Sequence, residues 1–144
     1  MCKFFLPPKI CEDKKLIKKK IMIIDDDKEF LEELEDALLH NGYDIVAIND
    51  STIVVDTAHR VKPNLILLDL KMPKMFGHQL AIKLKNFPQT AHIPIVAMTG
   101  YFTREEHREL MTSCGIEICL TKPFNFPDMI ACIGKVLSKS EQVK

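Results

Sequence analysis

Three aspartates in a row, Asp25, Asp26 and Asp27, follow the apolar run Ile21–Ile24. Asp69 follows Leu65–Leu68, Thr99 follows Ile95–Met98, and Lys122 follows a run that holds Ile116, Ile118 and Leu120. An isolated carboxyl ionises near pH ~4, and crowding several together raises the cost of ionising them all. A cluster at the end of a buried element therefore needs a cation or an exit to solvent. Carboxylate oxygens suit Mg²⁺, a hard ion that prefers octahedral oxygen ligands and keeps several waters. A carboxylate is also a nucleophile toward phosphorus and gives an acyl phosphate. A metal, an ammonium and a hydroxyl can then stabilise the equatorial oxygens of the moving phosphoryl group. Taken singly, each residue has an ordinary explanation: a solvated helix cap, a structural threonine, a surface lysine. Together, in this order, they point to a metal and phosphate site.

That chemistry requires the strand ends to meet. Short apolar runs at 21–24, 45–48, 65–68, 95–98 and around 116–120 alternate with helical patterns. Phe30, Leu34, Ala37 and Leu38 recur at helical spacing and stop at Asn41-Gly42. Val54, Val55, Ala58 and Val61 suggest a second helix, broken by Lys62-Pro63-Asn64. Leu80, Ala81, Leu84 and Phe87 form a third stripe, and Thr103-x-x-Glu106 reads as a capping box ahead of Leu110, Met111 and Cys114, with Gly115 as the stop. Asn125-x-x-Asp128 caps a last pattern through Ile130, Ile133 and Leu137. Five βα units in series make an α/β fold, a five-stranded parallel sheet with helices on both faces. Continuous apolar runs fit strands buried on both sides. In such open sheets ligands bind beyond the carboxyl ends of the strands, where the polar residues lie.

Composition narrows the class. The 144 residues suffice for one domain with a core, and the formal net charge of zero gives no electrostatic reason for direct nucleic acid or anionic membrane binding. Five cysteines, Cys2, Cys11, Cys114, Cys119 and Cys132, form no CxxC pair, which argues against a disulfide framework or zinc site and for a reducing cytoplasm. No apolar run reaches the ~18 residues needed to cross a bilayer. Residues 1–18 read as a lysine-rich leader without the order of a secretory signal, 19–140 as the domain and 141–144 as a C-terminal tail. The five histidines lie at helix or loop positions without ligand spacing and read as surface residues.

The stretches IMIIDDDKEF, LILLDLKMPKMFG, IVAMTG and CLTKPF together resemble the response-regulator receiver domains of two-component signalling, CheY-like in fold. The resemblance implies a flavodoxin-like (βα)5 sheet with strand order 2-1-3-4-5. It makes Asp69 the phosphoacceptor and Asp25 and Asp26 the acidic pair. Asp26, Asp69 and the backbone carbonyl of Lys71 would ligate Mg²⁺ directly, and Asp25 through water. Thr99 becomes the switch hydroxyl, Lys122 the partner of the phosphoryl group, and Lys122–Pro123 a cis bond. Asp27 is left to cap the first helix. The implied partners are a histidine kinase or histidine phosphotransfer protein and an unidentified downstream protein. The chain would catalyse only its own phosphoryl transfer and dephosphorylation. No output module is seen after the last helical pattern, which fits a stand-alone receiver or an excised domain.

Two positions depart from the family pattern. Phe76 stands where an acidic or small polar residue is common. Cys119 stands where an aromatic often turns inward as the threonine moves, so the usual coupling loses its ring; Tyr101 and Phe102 are nearby aromatics. By the same resemblance, Lys71 and Tyr101 would flank the path of an attacking water. Two rival readings are a haloacid-dehalogenase-type phosphohydrolase and a pseudo-receiver, a phosphorylation-independent interaction module. The first wants DxDxT, but Lys28 and Glu29 follow Asp27; the complete set Asp25, Asp26, Asp69, Thr99 and Lys122 argues against the second.

Overall fold

The structure, a computed structural model, describes residues 18–72, 77–100, 109 and 112–143. Phe76, Tyr101, Phe102, the Thr103–Glu106 box, Leu110, Met111 and the leader through residue 17 lie outside the described residues.

Five strands form one sheet: β1 (Lys20–Ile24), β2 (Asp44–Ile48), β3 (Leu65–Asp69), β4 (Ile95–Thr99) and β5 (Ile116–Thr121). All neighbouring pairs are parallel and the order is β2-β1-β3-β4-β5. Helices among the described residues include α1 (Lys28–His40), α2 (Val54–Val61, entered through a short 3-10 turn at Ser51–Ile53), α3 (Gly77–Lys85) and α4 (Phe126–Val143). Among the described residues, no helix is long and apolar enough to cross a membrane.

Alternation along the strands divides the core in two. Ile21, Ile23, Leu65, Leu67, Val96 and Met98 face α1 and α4, where Leu34, Leu38, Met129 and Ile133 meet them. Met22, Ile24, Ile66, Leu68 and Ala97 face α2 and α3, against Val54, Ala58, Leu80 and Leu84. Strands β1, β3 and β4 are almost wholly buried apart from the edge residue Lys20, as their uninterrupted apolar runs require. Edge strand β2 is only partly covered.

Local chemistry sets the element ends. Asp27 Oδ1 accepts the Glu29 and Phe30 N–H groups at 3.1 and 3.2 Å and starts α1. Asn41 caps its other end, and Gly42 turns the chain at φ +88°. Asp128 N–H donates to Asn125 Oδ1 at 2.7 Å and starts α4. Gly115 takes the left-handed conformation expected of a helix stop, at φ +84°. One sequence expectation fails: Phe87 does not extend α3, which ends at Lys85, and its side chain is exposed. Pro88 disfavours helical backbone at the residue before it. The Phe87 carbonyl instead accepts the Thr90 and Ala91 N–H groups in the turn leading to β4. At the other extreme α4 runs to Val143, past the boundary drawn at 140, because nothing in its last turns breaks a helix.

Candidate functional site

Register brings the separated residues together. Ile24 pairs with Leu68, so Asp25, one residue on, comes level with Asp69 at the end of β3. Thr99 pairs with Thr121, which puts Lys122 just beyond the same edge. The ends are tied by backbone: Asp25 N–H donates to the Ile48 carbonyl at 3.1 Å, Leu70 N–H to Met98 at 3.0 Å, and Lys122 N–H to Thr99 at 2.7 Å. Lys122–Pro123 is cis, as the family resemblance implied.

Carboxylate oxygens of Asp25, Asp26 and Asp69 lie within 4.8 Å of one another. Asp25 and Asp69 are buried, at 1% and 5% exposure, while Asp26 faces solvent. Lys122 enters this group: its Nζ is 3.0 Å from Asp25 Oδ2 and 3.7 Å from Asp69 Oδ1. Asp25 Oδ1 also accepts the Asp27 N–H at 3.0 Å, and Asp69 Oδ1 accepts the Lys71 N–H at 3.3 Å. Thr99 is buried at 1% exposure at the end of β4. The Lys71 side chain is exposed.

Burial pushes the Asp69 carboxyl from 3.8 up to about 6, and the neighbouring Asp25 charge pushes the same way; Lys122 and the Lys71 N–H pull it back. Burial is the largest of these influences and the Asp25 charge the next, so the single ammonium of Lys122 does not offset them. A hard divalent cation fits this donor set, since oxygen ligands from three side chains leave room for waters.

The geometry therefore gathers Asp25, Asp26, Asp69 and Lys122 in one place, with Thr99 at the adjacent strand end and Lys71 beside Asp69. Asp27 stands apart from the acidic group as the α1 cap. Three contributors escaped the sequence reading. Phe30, which closes the stretch IMIIDDDKEF and has no role in the sequence reading beyond a helical stripe, lies under the Lys122 ammonium, 4.6 Å from its ring centroid. Phe124 meets that ring edge-on. Gly77 N–H donates to the Leu70 carbonyl, and a Cβ at Gly77 would stand 2.5 Å from the Asp69 carbonyl oxygen. Its position at the start of a helical pattern, eight residues after a site aspartate, was the available signal for Gly77.

The chain matches the response regulator receiver domain family over residues 21–134. It is 28% identical over 119 residues to the polar-differentiation response regulator DivK of Brucella anthropi, covering 83% of this chain and 96% of that protein. A CheY-like response regulator receiver domain protein from Methanospirillum hungatei has a similar structure, with a TM-score of 0.82 at 25% identity, covering 88% of this chain and 99% of that one. The response regulator from Desulfuromonas acetoxidans is 32% identical with a TM-score of 0.74, covering 83% and 97%.

Proposed function

The chain belongs to the response regulator receiver domain family, and from that premise we propose that it is a phosphorylation-dependent switch with Asp69 as its phosphoacceptor. The observation that carries the reading is the Asp25–Asp26–Asp69 cluster with Lys122 set between two of its members.

An ionised Asp69 oxygen attacks the phosphorus of a phosphohistidine on a histidine kinase or phosphotransfer protein. The new P–O bond forms as the P–N bond breaks, and the electron pair leaves with the imidazole. At neutral pH a carboxyl that titrates at about 6 is mostly ionised and ready to attack. Asp26, Asp69 and the Lys71 carbonyl would hold Mg²⁺ directly and Asp25 through water; when bound, the ion supplies positive charge against the phosphoryl oxygens. Lys122 offers a second positive group beside Asp69, and Thr99 a hydroxyl. The Thr99 carbonyl accepts the Lys122 N–H, which ties the end of β4 to the end of β5. Phosphorylation would bias a pre-existing equilibrium of the partner-binding face, which we assign to the helical pattern of 103–114 together with β5 and α4. The chemistry is confined to the chain's own phosphoryl group, gained and later lost to water, in a cytoplasmic signalling pathway.

The test is incubation with acetyl phosphate and Mg²⁺ followed by intact-mass measurement. One phosphoryl group should be added, and none in Asp69→Asn or with a chelator. Labelling that persists in Asp69→Asn overturns the assignment. No labelling of the native protein by either acetyl phosphate or a phosphorylated donor protein favours the pseudo-receiver, a phosphorylation-independent interaction module.

A further inference from the structure

Three walls surround the Lys122 ammonium. Two are carboxylates, Asp25 Oδ2 at 3.0 Å and Asp69 Oδ1 at 3.7 Å. The third is the Phe30 ring, with Nζ 4.6 Å from its centroid. Phe124, two residues after the lysine, meets Phe30 edge-on, with centroids 5.9 Å apart and planes at 67°. That arrangement presents the positive edge of one ring to the negative face of the other and steadies Phe30.

The backbone fixes where this ring stands. Phe30 lies in the first turn of α1, and its N–H donates to Asp27 Oδ1 at 3.2 Å. The Asp27 N–H in turn donates to Asp25 Oδ1 at 3.0 Å, and the other oxygen of Asp25 holds Lys122. The contacts close a circuit through Asp25, Lys122, Phe30 and Asp27. The third aspartate of the run thus places an aromatic face as well as capping a helix.

A lysine ammonium is a strongly hydrated point charge on a flexible stem, and carboxylates alone hold its direction loosely. The Lys122 side chain is 30% exposed, so water competes for it. A ring face attracts the cation, excludes water on that side and carries no net charge to repel an incoming phosphoryl group. We propose that Phe30 is a positioning residue for Lys122, its ring holding the ammonium at the mouth of the acidic cluster and aimed at the space where the phosphoryl group enters beside Asp69. The inference rests on the receiver reading for its consequence, though not for the contact itself.

The test pairs a rate with a spectroscopic signature. Phe30→Leu should slow phosphorylation by acetyl phosphate about threefold to tenfold, as loss of a partly desolvated cation–π contact implies, while Phe30→Tyr keeps the native rate. In a Lys122→Ala background the same Phe30→Leu change should alter the rate by no more than about twofold. Without any donor, the ε-methylene protons of Lys122 should resonate upfield from ring current in the native protein and in Phe30→Tyr, and return toward ordinary lysine values in Phe30→Leu. Equal slowing with and without Lys122, a native rate in Phe30→Leu, or unshifted ε-protons in the native protein would each overturn the proposal. If the native chain takes no phosphoryl group at all, the switch reading fails, and the proton shifts still decide whether Phe30 holds the ammonium.

Discussion

Lys122 Nζ lies 3.0 Å from Oδ2 of Asp25, a carboxylate with 1% exposure, and 3.7 Å from Asp69. The closer compensation goes to Asp25, and Asp69 retains a carboxyl that burial lifts to about 6. An acid raised in the folded state makes that state bind more protons than the unfolded chain between pH ~4 and ~6, so its contribution to stability falls as pH rises through that window.

Asp69→Asn is therefore expected to stabilise the metal-free protein at pH 7.5, by about 1–2 kcal/mol after discounting for solvent and for Lys122. The gain should shrink toward zero below pH ~4, where the native carboxyl is protonated in both states. Mg²⁺ should raise the stability of the native protein at pH 7.5 through its preference for the folded state, and that of Asp69→Asn much less. Urea denaturation across pH, with and without Mg²⁺, measures all three. A variant less stable than the native protein at pH 7.5 would count against a strained, ionised Asp69.

Much of this site was legible because its positions are set by periodicity. Asp25, Asp69 and Thr99 are each at or just beyond the end of an uninterrupted apolar run, and parallel register carries them to one edge. The Asp27 and Asn125 caps were legible for the same local reason, a polar acceptor immediately before a helical stripe. Phe30 was not, since a ring under an ammonium depends on where α1 and the β5 end pack, and no spacing encodes it. Phe87 misled because its spacing fitted a helix while the following proline disfavours one there.

Gly77 opens α3 against the backbone of the β3 end. A methyl group there would meet the Asp69 carbonyl oxygen at 2.5 Å and the Leu70 Cα at 2.6 Å, neither of which can swing aside. Gly77→Ala should destabilise by about 2–3 kcal/mol, as overpacking against fixed atoms does, and should also slow phosphorylation by displacing Asp69. Denaturation midpoints read the first effect and acetyl phosphate labelling the second. A change within about 0.5 kcal/mol would mean that the α3 start relaxes freely.

Cys119 lies opposite Ala97 on β5 and packs, half-buried, against the core cluster that holds Ala97 and Cys114. A thiol has no ring to rotate into space vacated by Thr99. The change on binding beryllofluoride, a phosphoryl mimic, should therefore concentrate in the stretch following Thr99, with little in β5. Amide exchange measures this, and Cys119→Tyr should move the protected region toward β5. Native protection centred on β5 would sink the idea.

The lifetime of the phosphorylated state turns on access for water. An acyl phosphate at Asp69 is lost when water attacks phosphorus in line, and side chains beside that path decide how easily it enters. Lys71 is next to the site, its N–H donating to Asp69 Oδ1 at 3.3 Å and its side chain exposed. Tyr101, which lies outside the described residues, follows Thr99 by two positions. Neither side chain is an amide or carboxylate able to orient an attacking water, as a glutamine does in some GTPases. A long cation and a broad ring at these two sequence positions are expected instead to shield a phosphoryl group on Asp69, the lysine also attracting its charge. Hydrolysis should accordingly be slower than in a receiver built for rapid turnover. Lys71→Asn combined with Tyr101→Glu removes the shield and supplies groups that can hold water. Decay should quicken roughly tenfold, equivalent to on the order of 1–2 kcal/mol of barrier. The measurement is loss of the phosphorylated mass after donor removal, in Mg²⁺, for the native protein and the double variant. Equal decay would show that these two side chains do not set the lifetime.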